Sequence, residues 1–142
     1  IFELKQAYPK YAPYIAAYWY CYKDMDGGEI PGIYDVMKDL KDRGYHLYCL
    51  TNWSHETFPI VKEVHSRLFE LFDGIVVSGE EKMVKPNPEI YNLLLSRYNL
   101  KASESIFIDD RQRNVDGANQ VGITGVLFKG SNELKEQLAQ YL

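Results

Sequence analysis

The chain has 142 residues and a mass of 16.5 kDa, one domain's length and enough to bury roughly two-thirds of its unfolded surface. Its 16 basic and 20 acidic side chains leave a net charge of −4, which argues against nucleic-acid or anionic-membrane partners, since both attract a basic field. No apolar run approaches the ~18 residues of a membrane span, no secretory leader is visible, and Cys21 and Cys49 stand in no metal-ligand spacing. The expectation is a cytoplasmic globular protein.

Residues 1–29 differ in composition from the rest. They hold eight of the twenty aromatic residues, and Tyr8, Tyr11, Tyr14, Tyr18 and Tyr22 recur at helical spacing, interrupted by Pro9 and Pro13. This stripe reads as a packing face, with a cavity wall as the alternative. Asp26-Gly27-Gly28 closes the segment with turn chemistry.

From residue 30 the pattern becomes regular. Pro31 suits a first helical position, and Ile33, Val36, Met37 and Leu40 make an apolar face before Gly44. A strand is predicted over 45–50, then a helix carrying Val61, Val64, Leu68 and Leu71, then a strand over 74–78. Asn87-Pro88 opens a third helix with Ile90, Tyr91, Leu94 and Leu95 inward. Further strands are predicted over 105–108 and 125–128, separated by a helix ending at Gly122, with a last helix through Leu134 and Leu138. Nearly continuous apolar strands alternating with helices predict an α/β fold, a Rossmann-like parallel sheet with helices on both faces. The domain reading is 1–29 apart from 30–142.

In such sheets ligands bind beyond the carboxyl ends of the strands. Those ends carry Thr51 and Asn52, then Lys85 before Pro86-Asn87-Pro88, then Asp109 and Asp110 with Asn114 following. Thr51 and nearby amides can donate to an anionic oxygen, Lys85 offers a compact charge, and adjacent carboxylates call for a cation such as Mg²⁺. Singly, each has a plainer reading as a cap, a solvated lysine or a capped turn.

In this order and on these elements, Leu50-Thr51-Asn52-Trp53-Ser54, Lys85-Pro86-Asn87-Pro88-Glu89-Ile90-Tyr91 and Phe107-Ile108-Asp109-Asp110 with Asn114 resemble the second, third and fourth motifs of the haloacid dehalogenase superfamily. The resemblance covers residues 30 to about 128; residues 1–29 resemble the tail of a helical cap, as in sugar-phosphate phosphatases of that superfamily. It implies a Mg²⁺-dependent phosphatase of a small phosphorylated metabolite, working through an aspartyl-phosphate. Thr51, Asn52 and Lys85 would bind phosphate, Lys85 and Asp109 would serve the catalytic step, and Asp110, Asp109 and Asn114 would form the metal site. A metal-independent dehalogenase and a non-catalytic binding protein of the same fold are the alternatives; the paired acids favour the phosphatase.

The superfamily's first motif, a strand ending in the nucleophilic aspartate, has one imperfect candidate, Asp24-Met25-Asp26-Gly27-Gly28. Lys23 stands there in place of an apolar residue and Gly28 in place of Thr or Val, so the segment reads instead as the return from cap to core. The chain opens on Ile1-Phe2 without Met. The expectation is therefore a preceding segment that carries the nucleophile and completes the sheet, and a chain that is inactive alone.

Overall fold

A computed structural model of the chain describes residues 2–21 and 26–142. Helix α1 (Phe2–Ala7), a 3₁₀ turn (Pro9–Tyr11) and helix α2 (Ala12–Tyr20) pack on one another. Pro9 and Pro13 fall in first turns, where a missing N–H costs no intrahelical bond. Tyr8, Tyr11 and Tyr14 are 57%, 52% and 74% exposed, so at these positions the stripe is no packing face. Tyr22, and the side chain of Tyr18, lie outside the described residues.

The core alternates helices and strands: α3 (Ile33–Asp42), β1 (Tyr48–Thr51), α4 (Phe58–Val64), α5 (Ser66–Phe69), β2 (Gly74–Val77), α6 (Ser78–Glu81), α7 (Pro88–Arg97), β3 (Ile106–Asp109), α8 (Gln112–Gln120), β4 (Thr124–Leu127) and α9 (Ser131–Ala139). Pro31 sits two positions before the first helical residue rather than at it, because Gly32 takes a left-handed conformation (φ 78°) and α3 begins after it. The helix expected across 61–71 is broken at His65, whose non-helical backbone separates α4 from α5. Among the described residues no helix is long and apolar enough to cross a membrane.

Two apolar layers cover the strands. On one face Ile90, Tyr91 and Leu94 of α7 and Ala118 of α8 pack on Leu50 and Val76; on the other, Val36 and Leu40 of α3 and Leu134 and Leu138 of α9 pack on Val126. This is the mixed α/β architecture with helices on both faces that the sequence pattern predicts.

The strands form two parallel pairs. β1 runs beside β2, with Thr51 opposite Val77; β3 runs beside β4, with Asp109 opposite Leu127. Among the described residues no strand joins β1 to β3. A cavity of about 710 Å³ lies between them, lined by Leu47, Tyr48, Cys49 and Leu50 on one side and Ile106 and Phe107 on the other.

The outer edge of β2 is treated differently. Tyr98, just past α7, accepts a hydrogen bond from Ile75 N–H at 3.1 Å and donates to Ile75 C=O at 3.4 Å. Gly74 makes room for that ring, since a Cβ there would sit 2.2 Å from Tyr98 Cζ.

Candidate active site

The carboxyl ends of β1, β2 and β3 bring the loops carrying Thr51, Lys85 and Asp109 to one side of the molecule. Past β1 the chain turns sharply. Trp53 N–H donates to Ser78 Oγ at 2.9 Å, Ser78 Oγ–H donates to Trp53 C=O at 3.2 Å, and Gly79 N–H donates to the same carbonyl at 3.0 Å. Gly79 must be glycine here, because a Cβ would lie 2.5 Å from His55 N and 2.7 Å from Trp53 O. The β1 turn is thus strapped to the start of α6.

Asn52 then reaches across to the β2 side. Its Oδ1 accepts from Lys85 N–H at 2.8 Å and its Nδ2 donates to Lys85 C=O at 3.0 Å. Lys85 is joined to Pro86 by a cis peptide bond. Behind that bond Gly117 of α8 approaches closely, a Cβ there falling 2.7 Å from Pro86 O and 3.0 Å from Tyr91 Oη.

The Lys85 side chain, 9% exposed, crosses to β3 and donates from Nζ to Asp109 Oδ2 at 2.6 Å. Asp109 Oδ1 accepts from Arg111 N–H at 2.9 Å and from Asn114 Nδ2 at 3.0 Å. Burial alone would raise the Asp109 carboxyl, but the bonds from Lys85, Arg111 and Asn114 outweigh it and hold the group below its ordinary value. Tyr91 stands under this group, fully buried. Its hydroxyl donates to Asn114 C=O at 2.8 Å and its ring meets Phe107 edge-on. Burial, and then the Asp109 charge, push its phenol up to about 12.

Asn52, Lys85, Asp109 and Asn114 are therefore one bonded chain. Thr51 and Asp110 stand at its two ends: Thr51 closes β1, and Asp110 is exposed just past β3. Asp110 lines a shallow pocket of about 270 Å³ with Asp109, Ile30, Ile33, Ile108 and Phe128. Among the described residues no side chain pairs with Asp110 or with the Thr51 hydroxyl.

A Mg²⁺ ion takes oxygen ligands and is commonly held by one or two carboxylates, with water and phosphate completing the shell. The exposed Asp110 carboxylate and the buried Oδ1 of Asn114, neither of which has a hydrogen-bond partner among the described residues, suit that chemistry. Both Asp109 oxygens are already engaged. Among the described residues no group of three or more His, Cys, Asp or Glu is gathered, so such an ion would rest on Asp110 and Asn114 Oδ1, with groups that these residues do not supply completing its shell.

Of the candidate first motif the structure describes Asp26-Gly27-Gly28. Asp26 Oδ1 accepts from Gly28 N–H at 2.8 Å and Oδ2 pairs with His65 Nε2 at 2.7 Å; the Gly28 amide and then His65 hold the carboxyl below its ordinary value. Asp24 and Met25 lie outside the described residues. The sequence pattern gives no polar role to Ser78, Gly79 or Gly117, and it places Tyr91 inward at the end of the third-motif segment without a hydrogen-bond partner. Their roles depend on distant backbone, which no local pattern signals.

A profile of haloacid dehalogenase-like hydrolases matches residues 11–122. The chain is 37% identical over 91 residues to the sesquiterpene phosphatase astK of Aspergillus oryzae, covering 64% of this chain and 46% of that protein. It is 30% identical over 118 residues to a ribulose-1,5-bisphosphate 5-phosphatase of Halopiger xanaduensis, covering 82% and 48%. The chain thus spans about half the length of these relatives. Its fold is similar to an HAD family enzyme of Bacteroides thetaiotaomicron solved with magnesium and inorganic phosphate: TM-score 0.61, 27% identity, 68% of this chain and 50% of that one.

Proposed function

The chain belongs to the haloacid dehalogenase-like hydrolases, and from that membership we propose that it is the core of a cytoplasmic, Mg²⁺-dependent phosphatase of a small phosphorylated metabolite. The observation that carries the reading is the Lys85–Asp109 pair, held at 2.6 Å beside Asp110, whose carboxylate, like the Thr51 hydroxyl, pairs with no side chain among the described residues. Its phosphatase relatives support the substrate class.

In the proposed reaction an aspartate oxygen attacks phosphorus, the ester oxygen leaves and takes a proton, and water then cleaves the aspartyl-phosphate. Lys85 holds a fixed positive charge beside the phosphoryl oxygens, and Thr51 donates a hydrogen bond to one of them. Asp109 keeps the ammonium oriented, so no reorganisation is needed as charge develops. Asp110 would hold the Mg²⁺ ion, which when bound neutralises phosphoryl charge.

The nucleophile belongs, in this reading, to a further strand between β1 and β3. Support for it comes from the apolar cavity there and from the unshared edges that flank it. Each buried N–H or C=O left unmet on such an edge costs ~1–3 kcal/mol. The test is a phosphate-ester assay on the full-length gene product. Activity should vanish with EDTA, return with Mg²⁺, and be lost in Asp110→Asn; no turnover of phosphate esters, with halide released from a haloacid in the presence of EDTA, would point to the metal-independent dehalogenase chemistry instead.

A further inference from the structure

Asn52 follows Thr51 directly, and the family resemblance makes it a phosphate ligand. Its geometry assigns it other work. The amide spans the Lys85 residue, taking its N–H at 2.8 Å and giving to its C=O at 3.0 Å, across 33 positions of sequence. Two opposed bonds to one residue fix both the position and the rotation of its backbone. On the far side Gly117 leaves less than a methyl group's room beside Pro86. The Lys85 backbone is therefore clamped from two elements, and its long side chain ends with the ammonium on Asp109 Oδ2 and over the Phe107 ring, 5.3 Å from its centroid.

A lysine carries its charge on a stem of several rotatable bonds, and a point charge on a flexible stem is placed only as well as its root is placed. We propose that Asn52 is a positioning residue for Lys85, acting on the phosphoryl group through that ammonium. The functional reading enters only through the phosphate arm of the test below.

The experiment compares the full-length protein with Asn52→Ala, Lys85→Met and the double variant. The first readout is the exchange of the Lys85 ammonium hydrogens with water, followed by ¹H–¹⁵N NMR. The wild-type ammonium, bonded to Asp109 and nearly buried, should exchange slowly, and Asn52→Ala should speed it several-fold with the fold intact by circular dichroism. The second readout is inorganic phosphate affinity by ³¹P NMR. Asn52→Ala should weaken it by about tenfold, the scale of a hydrogen bond to a charged group, and change it less than about twofold in the Lys85→Met background. Unchanged ammonium exchange in Asn52→Ala, with phosphate lost equally in both backgrounds, would make Asn52 a direct ligand and overturn the proposal. Should no variant bind phosphate, the functional reading fails and the exchange rate alone decides the role of Asn52. If Asn52→Ala does not fold, Asn52→Ser, whose hydroxyl stops short of the Lys85 backbone, is read in the same way.

Discussion

At the scale of single residues the two adjacent aspartates divide their work. Asp109 is bonded at both oxygens and nearly buried; Asp110 is exposed, with no partner among the described residues. Substitution should separate them. Asp110→Asn is expected to leave the melting temperature where it is, within the ~0.5 kcal/mol typical of exposed sites, while abolishing Mg²⁺-dependent turnover of the full-length protein. Lys85→Met should cost about 3–5 kcal/mol in a denaturant melt, because it strands a buried carboxylate. The pH dependence has a definite sign. The folded-state value of Asp109 lies below its unfolded one, so its contribution to stability is complete above the ordinary carboxylate value. That contribution fades as pH falls through the depressed folded value. A stability-versus-pH curve should lose this acid limb in Lys85→Met.

At the scale of elements, close approach is what registers one helix against the next. Gly117 lets α8 lie against the Lys85-Pro86 backbone and against Tyr91 of α7. Gly117→Ala is expected to cost ~1–3 kcal/mol by overpacking, measured by urea titration, and to disturb the Lys85 ammonium although residue 117 never touches it. Most elements were legible in the sequence. Runs such as Ile75-Val76-Val77 and Ile106-Phe107-Ile108 are apolar throughout, glycines end α3 and α8, and Pro88 opens α7. The break at His65 was not legible, since Val61, Val64 and Leu68 keep a helical period across it. The residues at the strand ends were also legible as a set, because parallel strands put them on one side. The bonds among them were not: Asn52 to Lys85 and Tyr91 to Asn114 join positions 33 and 23 apart. The outward Tyr8, Tyr11 and Tyr14 mark the same limit, for periodicity finds a stripe without saying what covers it.

At the scale of the whole molecule the two strand pairs meet through their helices and through the Lys85–Asp109 ion pair. The packing of α7 on α8 and the Lys85–Asp109 bond join them beside the cavity. In the proposed reading a fifth, apolar strand fills that space and pairs with β1 and β3. A natural gene product longer than this chain, read by intact mass, is expected on that ground. The segment that it adds, prepared separately, should raise the melting temperature of the 142-residue chain with added concentration, as any ligand of the folded state does. A melting temperature indifferent to that segment would sink the idea of a strand in the cavity.

The Tyr98 clasp on β2 has a consequence for self-association. Sheets grow in crowded solution where an edge offers free N–H and C=O groups to a neighbour. On β2 the tyrosine hydroxyl already occupies both polar groups of Ile75, and its ring blocks the approach of another backbone. That flank is closed to fibre growth. Tyr98→Ala would open it, leaving Gly74 with a bare notch beside an unguarded strand, and turbid, thioflavin-positive material should then form at concentrations at which the parent chain stays clear.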